Sequence, residues 1–189
     1  MTADHTASIE PLRHRTIVLV GLMGVGKSSV GRRLAQALDM PFRDADNEVE
    51  DAAGRSIPEI FAELGEAAFR DGERRVIARL LEEPPHVLAT GGGAFVNEET
   101  RALINQHAIS VWLKADIELL ARRVGRKDTR PLLKNREPIE VLAELAEIRN
   151  PAYAQAQVHV QTGDTPHAVA VDAVVSALRD RLDQESFKP

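Results

Sequence analysis

The stretch that most constrains the fold is IVLVGLMGVGKSS, residues 17–29, in which an apolar run leads directly into a glycine-rich segment. The run Ile17–Val20 consists of β-branched and aliphatic residues, which is typical of a short buried strand. Apolar residues then recur at helical spacing over residues 30–38. The sequence therefore predicts a strand, a tight glycine loop and a helix in direct succession.

The glycine segment matches a phosphate-binding pattern, because residues 21–28, GLMGVGKS, fit G-x-x-x-x-G-K-[ST] at every fixed position. Glycines let the backbone turn so that successive amides point at phosphate oxygens, and the N-terminus of the following helix favours the same anion. Lys27 would face the outer phosphates, and the Ser28 hydroxyl would be a ligand of Mg²⁺. The alternative is a chance glycine-rich turn followed by a solvated lysine. The predicted triphosphate-binding residues are Gly24, Val25, Gly26, Lys27, Ser28 and Ser29.

Four further strand-like runs, MPFRDAD, HVLAT, AISVWLK and VHVQT, alternate with segments of helical character along the rest of the chain. This alternation predicts right-handed βαβ units and a parallel sheet covered by helices on both faces. A chain of 189 residues is long enough for one buried core but too short for two large domains. We therefore predict a single α/β domain.

Charge and composition exclude several classes of function. The net charge is -5, so the chain has no overall basic field to attract nucleic acid or an anionic membrane. It contains no cysteine, which excludes disulfide scaffolds, cysteine-rich zinc sites and thiol nucleophiles. No apolar run approaches the roughly 20 residues that a membrane helix needs, and the N-terminus lacks the apolar centre of a signal peptide. We expect a cytoplasmic protein without nucleic-acid or membrane partners.

Two acidic residues follow the second predicted strand. If this segment is extended, Asp44 and Asp46 share one face of the strand, near the sheet edge that carries the phosphate loop. One carboxylate is then placed to hold Mg²⁺ through water, and the other to accept from a hydroxyl substrate as base or anchor. The alternative is that one acid caps a helix and the other is a surface residue.

Three other features suggest a pocket for a small acidic molecule. Arg70 and Arg149 are candidate anchors, because arginine binds carboxylates through paired hydrogen bonds. The run Gly91–Gly93 follows the third predicted strand, where glycines permit close approach of a ligand to the backbone. The alternatives are two surface arginines on helices and a flexible turn.

The segment RKDTRPLLKNRE, residues 126–137, contains five basic residues and has no regular period. We predict a mobile lid that closes over the phosphates and excludes water, which would otherwise hydrolyse the triphosphate. The alternative is a solvated charged loop.

The ordered set of motifs GLMGVGKSS, FRDADNEVE, FRDGE, TGGGAF, TRPLL and RNPAY resembles the shikimate kinase family, from about Thr16 to the last helix. The resemblance implies a P-loop NTPase fold like that of the nucleoside monophosphate kinases. This fold is a three-layer sandwich around a five-stranded parallel sheet in the order 2-3-1-4-5, with a mobile lid. The resemblance also implies Mg²⁺-dependent transfer of the ATP γ-phosphate to the 3-hydroxyl of shikimate, a step of chorismate and aromatic amino acid biosynthesis.

The resemblance assigns roles on the acceptor side of the site. Asp46 resembles the aspartate that binds the substrate hydroxyl and acts as its base. Arg70 and Arg149 resemble the arginines that hold the shikimate carboxylate. The turn Gly91–Gly93 resembles the glycine turn at the substrate, with Gly92 as its main contact.

The resemblance also assigns roles on the phosphate side. Arg130 resembles the lid arginine that reaches the ATP phosphates, and Asp44 resembles a second acid of the magnesium site. Lys27, Asp46 and Arg130 are therefore the predicted catalytic residues, and ATP and shikimate the predicted substrates.

The predicted organisation is a polar N-terminal extension, residues 1–14, and a single kinase domain, residues 15–189. That domain contains a substrate-binding helical region at about 46–82 and the lid at 126–137, and we expect it to be a monomer. Two other functions stay open. One is a gluconate-type or nucleotide kinase with a different acceptor pocket, and the other is a nucleotide-dependent switch. The sequence shows no base pocket for a nucleotide acceptor and no N-K-x-D guanine signature.

Overall fold

The computed structural model describes residues 10–125 and 136–186. Its described strands form one sheet in the order β2-β3-β1-β4-β5, and every neighbouring pair is parallel. This order confirms the predicted 2-3-1-4-5 topology. The strands are β1 Thr16–Val20, β2 Phe42–Asp44, β3 Val87–Ala89, β4 Ala108–Lys114 and β5 Val158–Gln161.

Helices cover both sides of the sheet, as predicted. The first helix, α1, contacts β2 and β3 as well as the C-terminal helix α7, which in turn contacts β5. The helices are α1 Lys27–Leu38, α2 Ala45–Ala53, α3 Ile57–Leu81, α4 Glu98–His107, α5 Ile117–Val124, α6 Pro138–Tyr153 and α7 His167–Ser186, with 3-10 turns at Glu10–His14 and Ala94–Val96.

The burial of each strand follows its place in the sheet. All five residues of β1 are buried, because β1 is central and lies between β3 and β4. A continuous apolar run is expected for a parallel strand that is covered on both faces. The edge strand β5 instead alternates buried and exposed residues. The central position of β1 places the loop that follows it at the middle of the carboxyl edge of the sheet, where ligands of such folds bind.

The long segment after Ser56 consists of two helical stretches that meet at a kink and are numbered together as α3. Within α3, Gly65 has φ 81° and ψ 172°, which interrupts the helical backbone. Ser56 and Glu59 form a capping box at its start, which satisfies otherwise unpaired amides. The helix therefore continues past Gly72, because a glycine with ordinary helical angles weakens a helix without ending it.

Part of the predicted N-terminal extension packs on the domain. Glu10–His14 form a 3-10 helix in which Leu12 is fully buried within the hydrophobic core. Arg15 donates to Glu185 of α7 at 2.7 Å. Leu12 therefore belongs to the same core as the rest of the described chain.

Most of the predicted lid, including Arg130, lies outside the described residues. At its C-terminal end, Arg136 donates to Glu144 of α6 at 2.6 Å. No helix in the described ranges is long and apolar enough to span a membrane.

Candidate active site

The loop between β1 and α1 has a backbone that only glycine adopts readily. Gly24 and Gly26 have φ of 83° and 96°, both in the left-handed region. A Cβ on Gly24 would also lie 2.8 Å from Cγ1 of Val124. Val25 between them is buried, and its amide donates to the Leu22 carbonyl at 3.4 Å. Since α1 begins directly after Gly26, its unpaired amides open toward this loop, which is the geometry of an anion site.

Lys27 is the first residue of α1, and its side chain folds back over the loop. Its Nζ donates to the carbonyl oxygens of Gly21 at 2.8 Å and Leu22 at 3.1 Å. The ammonium is close enough to Asp46 to lower the pKa of that carboxyl. A cation thus lies between the loop and the neighbouring acids, where the outer phosphates of a nucleotide would need charge neutralisation.

Asp44 links the second strand to the phosphate loop. It is the N-cap of α2, and its Oδ1 accepts from the Asp46 amide at 3.2 Å. Its Oδ2 accepts from the Ser28 hydroxyl at 2.6 Å. The prediction that both acids lie on one extended strand is wrong, because α2 begins at Ala45 and Asp46 lies in its first turn. The capping alternative holds for Asp44, and the cap still brings both carboxylates to the loop.

Ser28 and Asp44 together fit a magnesium site. They place a hydroxyl and a carboxylate oxygen side by side, and Mg²⁺ prefers hard oxygen donors of this kind. Within residues 10–125 and 136–186, no group of three or more His, Cys, Asp and Glu side chains is placed to hold a metal ion. Magnesium at nucleotide sites takes most of its ligands from phosphate and water, so these two residues suffice on the protein side.

Asp46 is an acid whose surroundings favour its protonated form. Burial and, next, the Asp44 carboxylate raise its pKa above the ordinary value for aspartate, while Lys27 and Arg70 partly oppose this rise. A carboxylate with a raised pKa is a better proton acceptor from a hydroxyl than an ordinary surface aspartate.

Arg70 is held by Glu73, an acid that was not among the predicted site residues. Its Nη1 donates to Oε2 of Glu73, one turn later on α3, at 2.8 Å. Glu73 is only 2% exposed, and in the described part of the chain its Oε1 has no hydrogen-bond partner. Burial raises the pKa of Glu73, against the opposing effect of Arg70. The spacing of three residues after Arg70 was the one sequence signal for this pairing.

The triple-glycine turn after β3 lies against these side chains. A Cβ on Gly91 would lie 2.5 Å from Oε1 of Glu73 and 2.8 Å from Oδ1 of Asp46. A Cβ on Gly93 would lie 2.6 Å from Nη1 of Arg70. A side chain at either position would therefore displace these charged groups from their places against the backbone.

Gly92, the middle glycine of the turn, faces Arg149, the second candidate anchor. A Cβ on Gly92 would lie 3.0 Å from Nη1 of Arg149 and 3.7 Å from the carbonyl oxygen of Gly21 in the phosphate loop. Arg149 is 9% exposed, so the alternative of a surface arginine on α6 is wrong. The Tyr153 hydroxyl, from the same helix, donates to the Gly92 carbonyl. Tyr153 belongs to the RNPAY motif but was not among the predicted site residues.

The structure thus brings together the predicted acceptor residues, Asp46, Arg70, Arg149 and the glycine turn, beside the predicted phosphate loop. These residues come from α2, α3, α6 and the loops after β1 and β3. This arrangement places two arginines and the glycine turn beside the phosphate loop. Chemically, it can hold a small carboxylic acid beside a nucleotide.

Comparison with known proteins decides the family. A family model described as shikimate kinase matches residues 23–179. A shikimate kinase of Caulobacter vibrioides strain NA1000 is 79% identical over 171 residues, covering 90% of this chain and 86% of that protein. The chain belongs to the shikimate kinase family.

Solved structures place the fold in the same family. A shikimate kinase from Acinetobacter baumannii in complex with shikimate has a TM-score of 0.83 and 35% identity, covering 95% of this chain and 99% of that one. A gluconokinase from Sinorhizobium meliloti has a TM-score of 0.62 at 21% identity, over 93% and 97% of the two chains. The likeness to the gluconokinase reflects the common fold alone, whereas the likeness to the shikimate kinases extends to the sequence.

Proposed function

We propose that this protein transfers the γ-phosphate of ATP to the 3-hydroxyl of shikimate, giving shikimate 3-phosphate and ADP. The observation that carries the proposal is the packing of Arg70, Arg149 and Asp46 around the Gly91–Gly93 turn, directly beside the phosphate loop. Membership of the shikimate kinase family supports the same acceptor. The reaction belongs to the biosynthesis of chorismate and the aromatic amino acids.

The acceptor is recognised at two ends. Arg70 and Arg149 bind its carboxylate, since guanidinium groups form paired hydrogen bonds with carboxylates. Asp46 accepts a hydrogen bond from the 3-hydroxyl and takes its proton as the bond to phosphorus forms. The Gly91–Gly93 turn supplies backbone contacts between these two ends. Glu73 keeps the Arg70 guanidinium in place through its ion pair.

The nucleotide is recognised by the loop and the start of α1. The amides of Gly24 to Ser29 surround the phosphates, and Lys27 neutralises charge that develops on the transferred group. Ser28 and Asp44 would hold Mg²⁺, with Asp44 acting through water, and the ion supplies charge neutralisation on the phosphates. Arg130, outside the described residues, is proposed to reach the ATP phosphates from the lid. We also propose that the protein acts as a monomer, because the proposed site needs no residue from a second chain, and that it acts in the cytoplasm.

An acceptor assay tests this function directly. With ATP and Mg²⁺ present, we expect shikimate to stimulate ADP release well above background hydrolysis, and gluconate and AMP to have no such effect. The measurement is coupled ADP release with each acceptor in turn, followed by identification of the phosphorylated product. Stimulation by gluconate or AMP in place of shikimate would assign a different acceptor.

Replacing Arg70 with alanine should raise the KM for shikimate by roughly 10²-fold, because an ion pair with the carboxylate is lost and Glu73 is left buried and unpaired. The KM for ATP should change by less than about threefold, because Arg70 is proposed to contact the acceptor alone. Arg74→Ala is the matched control. It lies on the same helix, and its exposed side chain pairs with Asp71 at 2.8 Å. Equal increases in both KM values for Arg70→Ala would remove its assigned role.

A further inference from the structure

Tyr153 is fully buried at the end of α6, and its hydroxyl binds the Gly91–Gly93 turn. Its relative exposure is 0%, and its ring packs on Trp112 of β4 with a centroid distance of 5.8 Å. The hydroxyl donates to the carbonyl oxygen of Gly92. Buried tyrosine hydroxyls normally have a partner, and here the partner belongs to the turn that contacts the acceptor.

This hydrogen bond orients the peptide between Gly92 and Gly93. The described part of the chain has no cis peptide bond, and in a trans peptide the C=O and the N–H point in opposite directions. Because the Gly92 carbonyl points to Tyr153, the Gly93 N–H points away from it. Among the described residues, the Gly93 amide donates to no backbone acceptor. The phenol therefore sets the direction of the Gly93 N–H.

Tyr153 also lies near the carboxylate anchor on its own helix. Arg149 is one turn earlier, and its positive charge acts on the phenol. Burial raises the pKa of Tyr153 to about 12, although the positive charge of Arg149 acts in the opposite direction. The phenol therefore stays protonated near neutral pH, as donation to Gly92 requires.

We propose that Tyr153 is a positioning residue for the acceptor. Its hydroxyl fixes the Gly92 carbonyl, and with it the direction of the Gly93 amide, in the turn that Arg149 faces. The packing of its ring on Trp112 of β4 holds the phenol in place against the sheet. The inference rests on the proposed function, because the acceptor that this geometry orients is shikimate.

The test is the variant Tyr153→Phe, which removes the hydroxyl and keeps the ring that packs on Trp112. We expect the KM for shikimate to rise roughly tenfold, because the Gly92 carbonyl loses its buried partner and the turn relaxes. The KM for ATP should stay within about twofold, since the phosphate loop is unchanged. Wild-type protein that fails to phosphorylate shikimate in the same assay would overturn the proposed function. An unchanged KM for shikimate in the variant would overturn the role of Tyr153 alone.

Ser110→Ala is the matched control for the loss of a buried hydroxyl. Ser110 is 0% exposed on β4, and its hydroxyl donates to Asn105 at 2.6 Å and accepts from the Gln157 amide at 2.9 Å. We expect this variant to melt at a lower temperature with an unchanged KM for shikimate. An increase in KM equal to that of Tyr153→Phe would show that general destabilisation, and not positioning, raises the KM.

A second measurement needs no substrate. In ¹H–¹⁵N spectra of the ligand-free protein, Tyr153→Phe should shift the Gly93 amide resonance, because the orientation of its peptide changes. Ser110→Ala should leave that resonance in place. A Gly93 resonance that stays unchanged in Tyr153→Phe would overturn the proposal even if the variant lost activity for another reason.

Discussion

Replacing Lys27 with alanine is expected to lower kcat by roughly 10²–10³-fold with ATP and shikimate both saturating. The side chain lies over the loop at 2.8 Å from the Gly21 carbonyl, next to the amides that would bind the phosphates. Saturating substrate cannot replace a cation that neutralises charge on the transferred group, so the loss should appear in kcat. Removing Lys27 should also raise the pKa of Asp46 further, because the lysine charge now lowers it. The measurement is steady-state ADP release.

Lys114→Ala is the matched control for Lys27→Ala. Lys114 ends β4, the neighbouring strand at the same edge of the sheet, and its Nζ lies 4.3 Å from the centroid of the Trp112 ring. Its removal should change kcat by less than about twofold, because no proposed substrate contact involves it. Near-normal turnover in Lys27→Ala would refute a lysine that faces the phosphates.

Replacing Asp46 with asparagine is expected to lower kcat by roughly 10²–10⁴-fold. The amide has nearly the same shape and can still accept a hydrogen bond from the 3-hydroxyl, but it cannot take the proton. Asp51→Asn is the matched control, since Asp51 is exposed at the other end of α2. A kcat close to that of wild type in Asp46→Asn would show that alignment and charge neutralisation suffice without a carboxylate base.

The pH dependence gives an independent test of Asp46. Burial raises its pKa, and the ionised form is the one that accepts the proton. Activity should therefore fall as the pH falls through that raised pKa, at a higher pH than an ordinary aspartate would give. The kcat/KM for shikimate reports this group in the free protein. The fall of kcat/KM at low pH should be absent in Asp46→Asn. A fall that persists in this variant would belong to another acid, such as Glu73, whose pKa is also raised.

The phosphate loop shows how much local sequence can predict. Its glycines, Lys27 and Ser28 are consecutive in the chain, and the loop conformation depends on φ angles that glycine alone adopts easily. The parallel sheet followed from the alternation of apolar runs and helical periods, because parallel strands need helical crossovers. The order of the strands within the sheet came from the family resemblance. These features were predictable because their causes are local or periodic.

The acceptor side was less predictable from residues alone. Arg149 has the sequence setting of a helix-surface arginine, and its burial appears only when α6 packs over the glycine turn. Asp44 and Asp46 were expected on one strand. The early start of α2 instead makes Asp44 a cap that also accepts from Ser28. The family resemblance supplied the roles of these residues, and the structure supplied their contacts.

Glu73 and Tyr153 show what only the tertiary structure decided. Each is a polar residue on a helix. The spacing of Glu73 from Arg70 permits a pairing, but the burial of Glu73 and Tyr153 in the site cannot be seen in the sequence. The sequence by itself determined the phosphate loop, the alternation of strands and helices, and the residue types available at the edge of the sheet. Packing determined which of those side chains lose water and meet at the Gly91–Gly93 turn, since burial and pKa depend on neighbours that are far apart in the chain.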